Sequence, residues 1–273
     1  MNGRIIRIIS NLYTVLSDNQ TYECRARGKF KNDNITPLVG DYVVFDADMK
    51  YILEIKPRKN ALSRPMIANV DLALIVSSCK RPSFSAFLLD KMLANIILND
   101  ITPIICFSKF DLLDATEQKE INDIMTYYNS IGIKAILNTE ISELITLIEN
   151  KTVVLCGQTG VGKSTLMNKL DSSLHLATDD ISEALGRGKH TTRHVELFSC
   201  HKALIADTPG FSAFDLDSFD KKDIRFAFPE FDNSGCRFSD CMHINERDCA
   251  VLKQVSDGEI LTSRYESYKK MVS

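Results

Sequence analysis

A chain of 273 residues with 44% hydrophobic and 25% charged side chains is long enough for a large core and is neither disordered nor membranous in composition. No apolar run approaches the roughly 20 residues of a spanning helix, and arginines interrupt the opening Met1-Asn-Gly-Arg-Ile-Ile-Arg7 where a secretory leader would be apolar. A net charge of −3 argues against wholesale coating of nucleic acid but leaves room for local RNA-binding patches. The expectation is a cytoplasmic protein of several domains with no membrane segment, and nothing in the sequence calls for more than a monomer.

Residues 1–62 alternate short β-like runs, Ile5 to Ile9, Leu12 to Leu16, Tyr42 to Phe45 and Tyr51 to Ile55, with Asn, Asp and Gly turns. This pattern predicts a small all-β barrel of the OB type, a fold that often holds oligonucleotides. Arg25, Arg27, Lys29 and Lys31 would line one edge of a strand or loop, as an RNA contact or as a solvated basic cap.

From Val70 the pattern turns to parallel α/β: strand Val70 to Ser77, helix Ala86 to Asn99, strand Ile101 to Phe107, helix Glu117 to Ser130 and strand Ile133 to Leu137. Beyond the second strand stands Ser108-Lys109-Phe110-Asp111, similar to the guanine-reading N-K-x-D motif, with Ser108 in place of the usual Asn. One carboxylate, Asp111, can accept from both N1–H and the N2 amino group of guanine, a pair of donors that adenine lacks. Lys109 would lay its stem along the base.

The central signal is Gly157-Gln158-Thr159-Gly160-Val161-Gly162-Lys163-Ser164-Thr165, a P-loop between an apolar strand (151–156) and a helix (163–170). Its backbone N–H groups suit a polyanion, Lys163 adds charge at the β- and γ-phosphates, and the Ser164 hydroxyl suits Mg²⁺. Asp207-Thr208-Pro209-Gly210 has the D-x-x-G arrangement, Asp207 reaching Mg²⁺ through water and Gly210 meeting the γ-phosphate. Between them, Gly186 to Arg193 forms a switch-like loop in which Thr191 or Thr192 completes the Mg²⁺ shell. Because the base-reading motif precedes the P-loop, the expected fold is a circularly permuted P-loop GTPase domain over 63–220.

In 221–273, Cys236, Cys241, His243 and Cys249 have the donor set of a closed structural Zn²⁺ site in a mainly helical domain. Cys24, Cys79, Cys106, Cys156 and Cys200 are scattered and read as small hydrophobes. His175 and His201 have no partner cluster. Gly258 to Lys270 reads as a helix whose Arg264, Tyr265 and Tyr268 either meet RNA or face solvent.

Together with Leu62-Ser-Arg-Pro65, Ala68-Asn-Val-Asp71, Gly186 to His194, Asp207 to Phe211 and Arg264-Tyr265, these features closely resemble the RsgA family of circularly permuted GTPases. The resemblance covers nearly the whole chain. It implies an OB barrel, a central GTPase and a zinc-binding helical domain. It also implies GTP and GDP as ligands, and late maturation of the small (30S) ribosomal subunit, with rRNA bound and GTP hydrolysis stimulated by that subunit before release. Phe211 stands where many GTPases carry a water-orienting Gln, and the family's proposed substitute is a switch-loop His, best matched by His190. Two other readings stay open on the residues: a P-loop kinase or metabolic NTPase, and a nucleotide-sensing binding protein with a defunct centre.

Overall fold

The computed structural model describes residues 1–27, 30, 36–172, 195–207, 216–231 and 235–273. In chain order, seven strands come first: β1 (Asn2–Ile9), β2 (Leu12–Ser17), β3 (Gln20–Ala26), β4 (Tyr42–Asp46), β5 (Tyr51–Ile55), β6 (Ala61–Ser63) and β7 (Met66–Ala68). Strands and helices then alternate: β8 (Leu72–Ser78), α1 (Ala86–Leu98), β9 (Thr102–Ser108), α2 (Ala115–Ser130), β10 (Lys134–Leu137), α3 (Ile141–Ile148), β11 (Thr152–Cys156) and α4 (Lys163–Leu170). The hairpin β12 (Glu196–Cys200) and β13 (Ala203–Asp207) follows, and α5 (Ala250–Ser256) and α6 (Thr262–Val272) end the chain. These elements group into two compact units, one made of 1–73, 141–156 and 163–211, the other of 74–140, 157–162 and 212–273.

In the first unit, β1-β2-β3-β5-β4 form a five-stranded sheet that closes through β1–β4, giving the expected OB-like barrel. The inward positions fill it with Ile5, Tyr13, Val15, Cys24, Val43, Phe45 and Ile52. Gly3 lies at a tight crossing, where a Cβ would stand 2.5 Å from Val15 Cγ1. Arg4 is buried, and its guanidinium donates to Gly40 O (3.2 Å), Thr152 Oγ1 (2.7 Å) and Asn69 O (3.0 Å). Asp71 accepts from Thr152 N at 2.7 Å and pairs with Lys59. Beyond β1 the same unit continues as β12, β13 and β11, with β12–β13 antiparallel and β11–β13 parallel. The β12–β13 turn is His201-Lys202, both at positive φ (46° and 61°), as the twist of a two-residue hairpin demands. His201 Nε2 lies 2.6 Å from Leu170 O, so its partner is a helix-end carbonyl.

In the second unit, β9 and β10 pair in parallel; β8, which spans the boundary at Ala73, is buried throughout, its apolar Leu72 to Val76 followed by Ser77 and Ser78. Helix α2 begins at Ala115, two residues earlier than the periodicity predicts. Asp114 accepts from Thr116 N and Glu117 N while Glu117 reaches back to Asp114 N, a capping box that extends the first turn.

The expected helix over 258–270 is corrected: it begins at Thr262, because Gly258, at φ +79°, lies in the turn that follows α5. Its side chains also meet neither RNA nor solvent in the manner expected. Arg264, Tyr265 and Tyr268 are buried. Arg264 donates to Asp90 Oδ1 (2.7 Å) and Glu230 Oε1 (2.8 Å), with its guanidinium 4.2 Å from the Phe228 ring centroid. Burial alone would lower the Arg264 pKa, but the Asp90 and Glu230 carboxylates raise it above its ordinary value. Only Lys269 and Lys270 of the expected cationic face keep solvent contact.

Candidate nucleotide and metal sites

Strand β11 runs into a loop whose glycines have left-handed backbones: φ is +139° at Gly157, +78° at Gly160 and +94° at Gly162. A Cβ at Gly157 would stand 2.4 Å from Val76 O, so this first glycine is fixed by the carbonyl it passes. Gln158 is half-buried, Thr159 and Gly160 are exposed at the crown, and Val161 turns inward. Lys163 and Ser164 then open α4, with Ser164 buried and Thr165 exposed.

The Ser108-Lys109-Phe110-Asp111 segment, expected to read the base, is fastened to this loop. Ser108, at the end of β9, donates its hydroxyl to Val161 O at 2.5 Å, and Lys109 Nζ donates to Gly160 O at 2.6 Å and to Arg81 O. Two residues placed far from the P-loop in sequence thus hold two of its carbonyls. The serine in place of Asn still supplies a donor to the loop. Lys109 sits at φ +58°, which starts the short 3-10 turn Phe110–Leu112 and leaves Asp111 exposed at its head. A carboxylate so placed is free to accept from a ligand. Cys79 lies close enough for the Asp111 charge to act on it: burial first, and then that charge, push its thiol up to about 12. Burial likewise raises Cys156, which precedes the loop, against the opposing charge of Lys163. Both thiols stay protonated at neutral pH and behave as apolar side chains; burial raises Cys24 and Cys200 likewise.

Several expected site residues lie outside the described residues: Lys29, Lys31, His175, the loop with His190, Thr191 and Thr192, and Gly210. Asp207 is described only as the last residue of β13, which places it opposite Glu196 in the β12–β13 ladder. Arg25 and Arg27 are exposed at the end of β3.

The second candidate centre is local in sequence. Cys236, Cys241, His243 and Cys249 bring their ligand atoms within 4.8 Å of one another. Cys236 Sγ lies 3.8 Å from Cys249 Sγ, and His243 Nδ1 lies 3.4 Å and 3.5 Å from these two sulfurs. Bonds of about 2.3 Å to sulfur and about 2.0 Å to nitrogen around a tetrahedral Zn²⁺ put ligand atoms roughly 3.5–3.8 Å apart, so the donor set fits that ion. His243 takes a left-handed backbone (φ +58°), which turns its ring toward the thiols. The loop is held from outside by Tyr265 and Tyr268, whose hydroxyls donate to His243 O (2.8 Å) and Met242 O (2.6 Å), and by Arg225, which donates to Cys241 O (2.8 Å). Glu246 accepts from the backbone N–H groups of Met242, Ile244 and Asn245. Spacing reveals the four ligands; it does not reveal these holders, which come from elements up to 26 residues away.

Comparison with known proteins identifies the family. Residues 55–217 match the RsgA GTPase family and residues 2–51 the RsgA N-terminal domain. The chain is similar to the small ribosomal subunit biogenesis GTPase RsgA of Enterococcus faecalis (45% identity, 98% of this chain, 93% of the relative). It is also similar to the protein of that name from Bacillus subtilis (42% identity, 99% and 96%). Among solved structures it resembles YloQ, a circularly permuted GTPase, with a TM-score of 0.84, 38% identity and coverage of 99% and 93%. YjeQ from Thermotoga maritima gives a TM-score of 0.87 at 29% identity, with coverage of 99% and 96%. A permuted GTPase fold, family models that match most of the chain and relatives matched almost end to end leave one assignment: the chain belongs to the RsgA GTPase family and hydrolyses GTP.

Proposed function

We propose that this GTPase acts in biogenesis of the small ribosomal subunit, binding rRNA through its barrel in the GTP state and leaving the subunit once the subunit has stimulated hydrolysis. The ribosomal part is supported by the names of relatives matched over nearly the whole chain. The guanine part is supported by one observation above others, the clasp of Ser108 and Lys109 on Val161 and Gly160. That clasp ties the segment bearing Asp111 to the loop that would carry the phosphates. A cytoplasmic location follows from such a partner, and the proposed division is barrel 1–62, GTPase 63–220 and zinc-binding region 221–273.

In this reading Asp111 accepts the two donors of guanine, the 157–162 backbone cradles the phosphates, and Lys163 neutralises charge that builds on the β–γ bridge during transfer. Ser164, Thr191 or Thr192, and Asp207 would hold Mg²⁺, which when bound neutralises charge across the β- and γ-phosphates. Gly210 would donate its N–H to the γ-phosphate. His190 would orient the attacking water in place of the missing Gln, engaged only when the subunit orders its loop. The Zn²⁺ site is structural, since four protein ligands leave no open position.

GTP turnover measured with and without purified small subunits tests the proposal, with ATP as the control nucleotide and Lys163→Ala as the blank. Strong stimulation confined to GTP is the expected result; equal turnover with and without subunits would refute subunit-triggered hydrolysis. The clasp has its own test. Ser108→Ala leaves Val161 O without its donor, and a buried acceptor left unmet costs about 1–3 kcal/mol. Titration with a fluorescent guanine nucleotide should therefore show roughly tenfold weaker binding, and unchanged affinity would show that the loop holds its shape without the brace.

A further inference from the structure

Strand β1 changes partner partway along its length. Its first residues close the barrel, with Asn2, Gly3 and Arg4 opposite Val44, Val43 and Tyr42 of β4. The β1–β2 register then slips between Ile5 and Arg7, a bulge that re-aims the strand. Beyond the bulge, the edge of β1 that faced β4 is taken by β12, with Arg7 opposite Glu196. Glu196 is in turn opposite Asp207, the first residue of the D-x-x-G segment.

One cross-strand row therefore runs from Asp207 through Glu196, Arg7 and Thr14 to Glu23 on the barrel. From Glu196 to Glu23 the side chains are linked as well as the backbones. Arg7 Nη1 lies 3.7 Å from Glu196 Oε1, Arg7 Nη2 lies 3.5 Å from Glu23 Oε1, and Arg7 Nε donates to Thr14 Oγ1 at 3.3 Å. The Thr14 hydroxyl in turn donates a hydrogen bond to Glu23 Oε1 at 2.7 Å. The seam is narrow, a single paired rung with a half-exposed ion pair, and such joints open and close at little cost.

We propose that the β1–β12 seam is the joint through which nucleotide state reaches the barrel, with Arg7 as its pin. A displacement of the end of β13 passes to Glu196 by backbone pairing and from there to β1 without crossing a flexible linker. The seam is closed in the GTP-loaded form and so favours the barrel geometry that engages RNA. Arg7 touches no nucleotide; it acts as a positioning residue. This proposal rests on the ribosomal reading above.

Affinity of the full chain for purified small subunits, measured with 5′-guanylyl-imidodiphosphate and with GDP, tests it through the ratio of the two. Arg7→Glu sets a third carboxylate between Glu196 and Glu23 and should lower the wild-type ratio about fivefold, the scale of an exposed ion pair lost. Arg7→Gln should lower it less, with basal GTP turnover unchanged in both variants. Hydrogen exchange on the wild-type chain gives a second readout that needs no variant. Amides of residues 7–9 and 196–198 should be better protected with the analogue than with GDP, while those of residues 2–4, held by β4, should not change. A wild-type preference for the GTP state kept intact in Arg7→Glu overturns the seam alone, as does nucleotide-independent exchange at residues 7–9. Equal wild-type affinity in both states removes the ribosomal reading, and the seam with it.

Discussion

Chelating zinc from the full chain at neutral pH is expected to unfold the region 235–273 while leaving the barrel folded. The segment from Cys236 to Cys249 contains no helix or strand, and its order would come from the four expected ligands and the backbone bonds made by Arg225, Glu246, Tyr265 and Tyr268. Without the ion, three buried or half-buried thiols and a buried imidazole would be held together only by weak sulfur contacts with one another. Structural Zn²⁺ contributes on the order of 10–16 kcal/mol in zinc-finger peptides, more than the whole stability of many domains. Limited proteolysis followed by mass spectrometry should show new cleavage within 235–273 after chelation, and Cys249→Ser should reproduce it. A region that stays protease-resistant after metal analysis has shown the zinc gone would mean that the aromatic cluster of Phe228, Phe231 and Tyr268 holds it unaided.

Arg264→Ala should be the most destabilising single substitution of a charged side chain among the described residues. Arg264 is 1% exposed, and its removal leaves Asp90, itself 0% exposed, with the Tyr128 hydroxyl at 2.6 Å and Glu230 with Tyr127 among the described residues. Removing one partner of a buried pair costs about 3–5 kcal/mol because the remaining charge is stranded. A denaturant midpoint lowered accordingly is the expected result. Arg264→Lys should recover only part of the loss, since one ammonium cannot meet Asp90 through Nη1 and Glu230 through Nε at the same time. Stability unchanged in Arg264→Ala would mean that water enters and solvates both carboxylates.

Much of the chemistry was legible in sequence because it is written in contiguous residues. The phosphate loop needs glycines at fixed spacing so that its backbone can take positive φ, and those glycines have it. Four side chains with a zinc donor set lie within fourteen residues, and they converge once the loop closes. The permuted order of Asp111, Lys163 and Asp207 is likewise a property of the string. Helix α6 shows where such reading ends: Arg264, Tyr265 and Tyr268 look like a cationic, aromatic surface, and only the acids and backbone carbonyls that meet them show the face to be inward. Asp90 and Glu230 are 174 and 34 residues away, and no local pattern pairs them with Arg264.

The sequence by itself therefore determined the permuted GTPase fold and the barrel of alternating strands, and pointed to a phosphate-binding loop, a guanine-type carboxylate and a quartet with a zinc donor set. Only the tertiary structure decided what holds them, because those contacts join residues remote along the chain. Ser108 fastens Val161, Lys109 fastens Gly160, and β1 leaves β4 at a bulge to pair with β12. Hydrogen bonds and strand registers of this kind depend on where backbones meet in space, and the residues that make them carry no local periodicity that would announce it.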